Sequence, residues 1–433
     1  MIPFSTYSKI HLVGIKGVAM ASLAQILADL GKTVTGSDVK EDFVTAEILR
    51  ARGFTITVGF DGAHIAPDCS LVVYTGAHNG KQNIEVQAAR ERGIPVMSHA
   101  EALGVCMEGK RGISVCGTGG KSTTSAMIAW ILHYAGKKPS YAIGVGNVPN
   151  LGSTGHYDVE SEWFVAEADE YAVDPTDDHR PRFIYQHPEL IVCTNLSFDH
   201  PDIYPDFETM KRTFSDFFNT IPENGALITS ENVPSILPSV RVIVPENTRI
   251  ELPLPGIHNQ ENAQLAMSVS KLCGVDEETA LEALKIFQST MRRFEYKGKL
   301  GEVEFFDDYA HTPDEIRSTL QAVREKFPTN RIVVAFQPHT YSRTKALFDD
   351  FVHALSQADS VLILDIFASA REAVDRTISA DLLRSKLHNS PMKLRDYDEL
   401  AAKLPEILKD NDVCITMGAG DIYKVYEKME GLH

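Results

Sequence analysis

The chain has 433 residues, 43% hydrophobic and 23% charged, ordinary globular values in a protein too long for one core, so two or three domains are expected. Its formal net charge of −17 argues against nonspecific nucleic-acid binding, although local glycine turns and arginines can still hold an anionic substrate. The six scattered cysteines form no Cys-x-x-Cys pair, which fits free thiols in a reducing compartment better than a disulfide framework or zinc site. The N-terminus lacks a signal-peptide layout, and no apolar run approaches the ~20 residues of a membrane span. A soluble, cytoplasmic protein is therefore expected.

Ile10 to Val13 reads as a strand ending at Gly14, followed by Gly17 and a helix from Met20 to Leu30. Val34 to Gly36 begins a second strand that ends at Ser37-Asp38. This is the opening of a Rossmann-like β-α-β unit. The dinucleotide fingerprint Gly-x-Gly-x-x-Gly fails, because Lys16 and Ala19 stand where two of its glycines belong. NAD is disfavoured, and a nucleotide diphosphate at the same turn remains open. Asp38 is placed for a ribose or sugar hydroxyl, or for a solvated strand end or cap. Further strands are expected at Leu71–Tyr74 and Ile94–Met97, with a helix between them from Asn83 to Arg92.

A second α/β segment begins near residue 108. Gly112 to Cys116 reads as a short buried strand, and Gly117-Thr118-Gly119-Gly120-Lys121-Ser122-Thr123-Thr124 follows it. Ser125 to Tyr134 favours helix. Strand, glycine turn, lysine, hydroxyls and helix make a phosphate cradle. Val115 stands where the general P-loop pattern has glycine, so this is the shorter Gly-Thr-x-Gly-Lys-Ser/Thr form. Lys121 would reach the outer phosphates, and Ser122 or Thr123 would ligate Mg²⁺. The strand Trp163–Ala166 leads into Glu167-Ala168-Asp169-Glu170, and carboxylates there suggest Mg²⁺ ligation or an acidic loop. Residues 174–182 read as a polar surface loop. Leu190–Thr194 is the next strand, running into Asn195 and Asp199-His200, where a metal or phosphate role suits His200. Gly256 opens a helix to Leu272; Asn259 and Asn262 could meet a base edge, or Asn259 could cap the helix. Glu277 to Phe287 is a further helix.

Arg292-Arg293-Phe294-Glu295 marks the exit into a third segment. Val303 to Phe306 is a strand ending at Asp307-Asp308-Tyr309-Ala310-His311, and a helix follows from Asp314 to Lys326. The strand Ile332–Phe336 leads to Gln337-Pro338-His339 and on to Arg343. Ser360–Asp365 and Val413–Met417 are further strands. Ligands gather at the C-terminal ends of strands in such sheets, so this segment should supply part of a site. Asp381–His388 and Glu399–Lys409 read as packing helices.

In this order, these motifs resemble the Mur ligase family over nearly the whole chain. The carrying residues are Gly14-Ile15-Lys16-Gly17-Val18-Ala19-Met20 with Gly36-Ser37-Asp38, then the phosphate loop, Glu167 to Glu170, Asn195 with Asp199-His200, and His258-Asn259 with Asn262. Arg292-Arg293-Phe294, Asp307 to His311 and Phe336 to Arg343 complete the set. The resemblance implies an α/β protein of three domains. These are a Rossmann-like N-terminal domain (1–107), a central P-loop ATP-binding domain with a mostly parallel sheet (108–292) and a Rossmann-like C-terminal α/β domain (293–433).

It further implies an ATP-dependent amide ligation with Mg²⁺ as cofactor. The lactyl carboxylate of UDP-N-acetylmuramate takes the γ-phosphate of ATP, and the amine of L-alanine displaces it. Lys121, Glu167, His200, His311 and Arg343 would be catalytic. Mg²⁺ would sit on Ser122 or Thr123 and Glu167, with His200 on a second ion. Gly117 to Thr123, Asn259, Asn262, Arg293 and Asp308 would hold the nucleotide. Tyr309, His311, His339 and Arg343 would bound the amino-acid pocket, with Arg343 as carboxylate partner. Gly14, Ile15, Lys16, Gly17, Val18, Ser37 and Asp38 would hold the UDP moiety. The chain departs from the family pattern at Ala19, Gly119, Thr312 and Thr340. A related ligase that attaches a whole tripeptide, and a P-loop ATPase without ligation, are the alternatives. A monomer or homodimer, with closure of the C-terminal segment, completes the expectation.

Overall fold

The computed structural model describes residues 3–230, 233, 240–368, 374–389, 392–429 and 431–432. Among them, the N-terminal part forms β1 (Lys9–Val13), α1 (Val18–Asp29), β2 (Thr33–Asp38), α2 (Ala46–Ala51), β3 (Thr55–Val58), β4 (Leu71–Tyr74), α3 (Ile84–Glu91), β5 (Val96–Ser98) and α4 (His99–Met107). Its sheet is wholly parallel in the order β3-β2-β1-β4-β5. Leu23, Ile26 and Leu27 of α1 are buried at helical spacing, so its apolar face has one packing solution. Ser98 and Glu101 form a reciprocal capping box that starts α4.

The middle part forms β6 (Arg111–Cys116), α5 (Lys121–Tyr134), β7 (Ser140–Ala142), β8 (Gly155–His156), β9 (Trp163–Glu167), β10 (Ala172–Asp174), β11 (Asp178–Pro181), β12 (Leu190–Cys193), α6 (Phe207–Phe218), β13 (Ala226–Thr229), β14 (Val242–Ile243), α7 (Ile257–Leu272) and α8 (Glu277–Lys285). Seven strands run in the order β14-β13-β12-β6-β9-β7-β8, parallel except for β8 against β7. Within residues 174–182, expected as a surface loop, Asp174 and residues 178–181 instead belong to the antiparallel ribbon β10–β11, with residues 175–177 as its turn. The reason is turn chemistry: buried Asp174 accepts from Thr176 N at 2.9 Å and from Lys81 N at 2.7 Å.

The C-terminal part forms β15 (Glu295–Leu300), β16 (Val303–Asp308), α9 (Pro313–Lys326), β17 (Ile332–Phe336), α10 (Tyr341–Ala346), α11 (Phe348–Leu355), β18 (Ser360–Leu364), α12 (Ala380–Ser385), β19 (Met392–Leu394), α13 (Tyr397–Ile407) and β20 (Val413–Met417). Its six-stranded sheet runs β15-β16-β20-β17-β18-β19, with only β15 antiparallel. Both faces are covered by apolar side chains, as a parallel sheet requires.

The chain divides into two compact units: residues 1–198, 203–253 and 260–290, and residues 199–202, 254–259 and 291–433. Within the first unit the N-terminal and middle sheets share a core, in which Leu23 and Leu27 join Ala142, Phe164 and Ala166. Gln25 Nε2 donates to Thr154 Oγ1 at 2.8 Å across that seam. These three mostly parallel sheets make the molecule an α/β protein.

Candidate active site

The first unit carries the phosphate loop. β6 lies between β12 and β9, so the turn leaves from an interior strand of the sheet. Gly117 has φ +126° and Gly120 φ +82°. A Cβ on Gly117 would lie 2.2 Å from Thr194 Oγ1, and one on Gly120 2.6 Å from Asn262 Oδ1, so both positions need glycine twice over. The loop is pinned along its flank: Gly119 N donates to Asn195 Oδ1 at 2.9 Å, Thr118 Oγ1 to Ser197 O at 2.7 Å, and Thr194 Oγ1 to Gly119 O at 2.5 Å. α5 begins at Lys121, four residues before the expected start, which sets the helix N-terminus directly on the loop.

Lys121 Nζ donates to Gly117 O at 2.7 Å and to both Glu170 carboxylate oxygens at 3.0 Å. Glu170 is buried and its main-chain oxygen accepts from Tyr204 OH at 2.6 Å. Burial works against the Lys121 charge, but Glu170 and then Asp169 more than offset it, so the proton is held more firmly than in water. Glu170, read from the sequence as part of a Mg²⁺-ligating or acidic run, is instead the partner of the phosphate-loop lysine.

Glu167 ends β9, with Val115 opposite it in register, and its Oε1 accepts from Gly144 N at 2.7 Å. The Ser122 and Thr123 side chains are buried at the start of α5. These hard oxygens suit Mg²⁺. The described residues hold no group of three His, Cys, Asp or Glu able to bind a metal, so such an ion would need phosphate oxygens as well, the usual habit of Mg²⁺. Asn262 faces Gly120. Asn259 lies inside α7 and does not cap it; its Nδ2 donates to Pro255 O at 2.7 Å.

The N-terminal turn is built differently. Lys16 Nζ donates to Val39 O and Glu41 O, each at 2.8 Å, and Lys16 N donates to Asp38 Oδ2 at 2.7 Å. Asp38 Oδ1 accepts from Val39 N at 2.8 Å, and burial pushes its pKa up. The hydroxyl of Ser37 donates to Glu85, a fully buried carboxylate that also meets His11 and His64. Lys16, Ser37 and Asp38 are thus committed within the protein. Gly14 has φ +81°, Ile15 is buried, and Gly17 caps α1 ahead of Val18.

The second unit gathers the residues expected around the amino acid. The Tyr309 and His311 rings meet edge-on at 5.2 Å, and His311 and His339 at 6.3 Å. Phe367, not foreseen, stacks on His339 at 5.7 Å and 14°. Arg343 Nη1 lies 3.3 Å from His339 Nδ1. The Arg343 guanidinium, expected to meet a carboxylate, grips one from this chain: Nε donates to Asp199 Oδ1 at 2.8 Å and Nη2 to Oδ2 at 3.3 Å. Burial alone would raise the Asp199 pKa, but His200 and Arg343 hold it far below the usual carboxylate range. His200, at φ +55°, donates its own N–H to Asp199 Oδ1 at 2.7 Å.

Glu315 organises the neighbouring turn. It caps α9 with Thr312, accepts from His311 N at 3.0 Å and lies 3.5 Å from Arg293 Nη1. Burial opposes its charge, yet His311 and Arg293 hold its pKa down at about 2. Burial lowers the His311 pKa. Asp308 accepts from Phe294 N at 2.7 Å, Ala310 N at 2.8 Å and Thr319 Oγ1 at 3.2 Å, and burial raises its pKa to about 6. It therefore fixes the turn that carries Arg293.

The chain matches the Mur ligase family catalytic domain over residues 9–111, the middle domain over 115–237 and the glutamate ligase domain over 292–420. It is 36% identical to the UDP-N-acetylmuramate–L-alanine ligase of Desulfitobacterium hafniense over 97% of this chain and 99% of that protein. It is 34% identical to the protein of that name from Caldanaerobacter subterraneus over 99% and 98%. A solved UDP-N-acetylmuramate-alanine ligase from Thermotoga maritima superposes with a TM-score of 0.78 at 27% identity, over 97% of each chain. A murein peptide ligase from Psychrobacter arcticus does so with a TM-score of 0.73 at 25% identity, over 98% of each. With three domain models and full-length relatives above 30% identity, the chain belongs to the Mur ligase family.

Proposed function

We propose that this protein joins L-alanine to the lactyl carboxylate of UDP-N-acetylmuramate in an ATP-dependent ligation that yields ADP and phosphate, a step of peptidoglycan precursor synthesis. The observation that carries the reading is the phosphate cradle from Gly117 to Thr123, with a charged Lys121 held by a carboxylate that a triphosphate can replace. A carboxylate attacking a triphosphate is anion meeting anion, so the chain must supply positive charge where negative charge builds. Lys121 and the first-turn amides of α5 supply it. The lactyl oxygen attacks the γ-phosphorus, the bond to the β-phosphate oxygen breaks, and the amine of L-alanine then displaces phosphate from the acyl carbon.

Ser122, Thr123 and Glu167 would hold Mg²⁺ with the phosphates, and His200 a second ion; when bound, Mg²⁺ neutralises phosphate charge. Gly14 to Val18, Ser37 and Asp38 form the turn assigned to the UDP moiety. There Gly14, Gly17 and the α1 N-terminus meet the phosphates, while Lys16, Ser37 and Asp38 shape the turn. Asn259, Asn262, Arg293 and Asp308 are assigned to the nucleotide. Tyr309, His311, His339 and Arg343 are assigned to the amino acid, with Asp199 marking where Arg343 takes a carboxylate. Domain boundaries near 107 and 292, a cytoplasmic site of action and a monomer or homodimer belong to the same reading. No described helix is long and apolar enough to cross a membrane.

The second reading is a tripeptide acceptor, favoured by the fold shared with the murein peptide ligase. The test is phosphate release from ATP with UDP-N-acetylmuramate and a panel of L-alanine, L-serine, glycine and tripeptide. Turnover should require the sugar nucleotide and be greatest with L-alanine. Greater turnover with tripeptide moves the assignment to the second reading, and turnover independent of any amine overturns both.

A further inference from the structure

The second unit holds Phe367 against His339, one of the residues assigned to the amino acid. β17 and β18 are parallel neighbours. Beyond their C-terminal ends, where ligands gather in such sheets, an isolated parallel bridge joins His339 to Phe367. Phe367 N donates to Pro338 O at 2.8 Å, and Thr340 N donates to Phe367 O at 3.1 Å. Gly420 lies against the ring: a Cβ there would come within 2.7 Å of Phe367 Cγ. Phe367 is therefore held by its own backbone and seated on a position that carries no side chain. Thr340 has φ +71°, a region that β-branched residues avoid. The bridge to Phe367 supports this strained turn, and strain of that kind collects at ligand sites.

Arg343 depends on that stack. The Phe367 and His339 rings lie 5.7 Å apart and 14° from parallel, an offset stack. Stacking fixes the plane of the imidazole and so the direction of its edges. One edge carries Nδ1, 3.3 Å from Arg343 Nη1. A guanidinium only donates, so Nδ1 accepts and the ring proton sits on Nε2. The same Nη1 donates to His339 O at 3.3 Å, while Nε and Nη2 donate to Asp199. His339 thus holds one corner of the guanidinium and Asp199 the other two. A planar fork binds a carboxylate well only when it is correctly turned.

We propose that Phe367 is a positioning residue of the amino-acid pocket: stacked on His339, it sets the imidazole that orients the Arg343 guanidinium for the substrate carboxylate. The proposal rests on the assignment of Arg343 to the amino acid. A fork that is already oriented loses less freedom on binding, so Phe367 acts on affinity for the amino acid and not on the chemical step. Leucine in its place fills similar space without a flat face and leaves the imidazole plane unset. Tyrosine keeps the face.

Phe367→Leu and Phe367→Tyr in the full chain test this. The KM for L-alanine should rise ~10-fold in Phe367→Leu, the upper worth of one aromatic pair, with kcat and the KM for ATP unchanged. Phe367→Tyr should keep the parent KM. An unchanged KM for L-alanine in Phe367→Leu overturns the proposal. So does a KM for ATP that rises in step, the mark of general damage, or a Phe367→Tyr variant that behaves like Phe367→Leu. A second readout needs no substrate. Imidazole nitrogen NMR spectra of the isotope-labelled chain, with the His339 signals identified by their loss in His339→Gln, should show the Nε2–H tautomer in the parent and in Phe367→Tyr. In Phe367→Leu the signals should move toward the average of the two tautomers; spectra identical to the parent's overturn the proposal. A parent without turnover on L-alanine fails the ligase assignment alone, and the spectra still decide whether Phe367 sets the ring.

Discussion

Two strand-to-helix turns of this chain carry a lysine among glycines, Lys16 between Gly14 and Gly17, and Lys121 after Gly120. Both lysines are largely withdrawn from solvent. Their partners separate them. Lys16 donates mainly to main-chain carbonyls of residues 39–41, which it holds in a bend, with the exposed Asp42 carboxylate farther off at 3.7 Å. Lys121 rests on the carboxylate of Glu170, a partner with the same sign of charge as a phosphate. A carbonyl trio cannot be exchanged for a ligand without unfolding the bend, whereas a carboxylate can yield the lysine to a stronger anion. The glycines mark where an anion could approach, and the lysine's existing partner decides whether it is available.

The sharpest way to break this comparison is to remove each lysine in turn. Lys121→Ala should lower turnover at least ~100-fold, since it removes charge stabilisation from the transition state, and it should also lower the unfolding midpoint, because the buried Glu170 carboxylate loses its cation. Steady-state phosphate release and a urea melt on the same preparation check both halves. A near-normal rate would sink the role of Lys121. Gly120→Ala should follow with ATP binding weakened ~30-fold or more, because φ +82° and the contact with Asn262 Oδ1 force the loop to move; nucleotide titration reads it. Lys16→Ala should instead keep turnover at low temperature within a few-fold. It removes the donor to the half-exposed and exposed carbonyls of residues 39–41 and should cost about 1 kcal/mol of stability. If Lys16→Ala instead abolishes turnover in a fully folded protein, the distinction between the two turns fails.

The same contrast explains what the sequence could and could not tell. The strands β12 and β17 are continuous apolar runs, and their positions follow from that alone. The glycine turns could be located because a missing Cβ leaves a direct mark in the sequence. β3 escaped because Thr55 to Val58 is only four residues long and no more than half-buried, although Thr-Ile-Thr-Val does alternate. α4 escaped although Ser98 and Glu101 spell a capping box. Partners were the least legible layer. Nothing in the order of residues says that Arg343 will meet Asp199, 144 positions away, or that Glu170 rather than Glu167 will hold Lys121. Residue types at the candidate site were legible, and their pairings were set by tertiary geometry.

Glu315 extends the comparison to a carboxylate. Like Lys16, it is committed to its own chain: it accepts from His311 N and Thr312 N and pairs with Arg293. Its pKa, held down at about 2 by His311 and Arg293 against burial, lies below the unfolded value of ~4.3. The sign follows directly. The unfolded state binds the proton first as pH falls, so the stabilisation is fully present above about pH 4.3 and is lost between there and pH 2. Glu315→Gln keeps an oxygen acceptor for the two amides and removes only the charge. It should therefore lower stability at pH 7, by no more than the ~3 kcal/mol that a pKa lying about 2.3 below its unfolded value represents, and the gap between the variant and the parent should close as pH falls through that window. Urea melts at pH 7, 4 and 3, followed by fluorescence, measure it. A gap that stays constant with pH would mean that the carboxylate works through its hydrogen-bond geometry alone and that its charge contributes nothing.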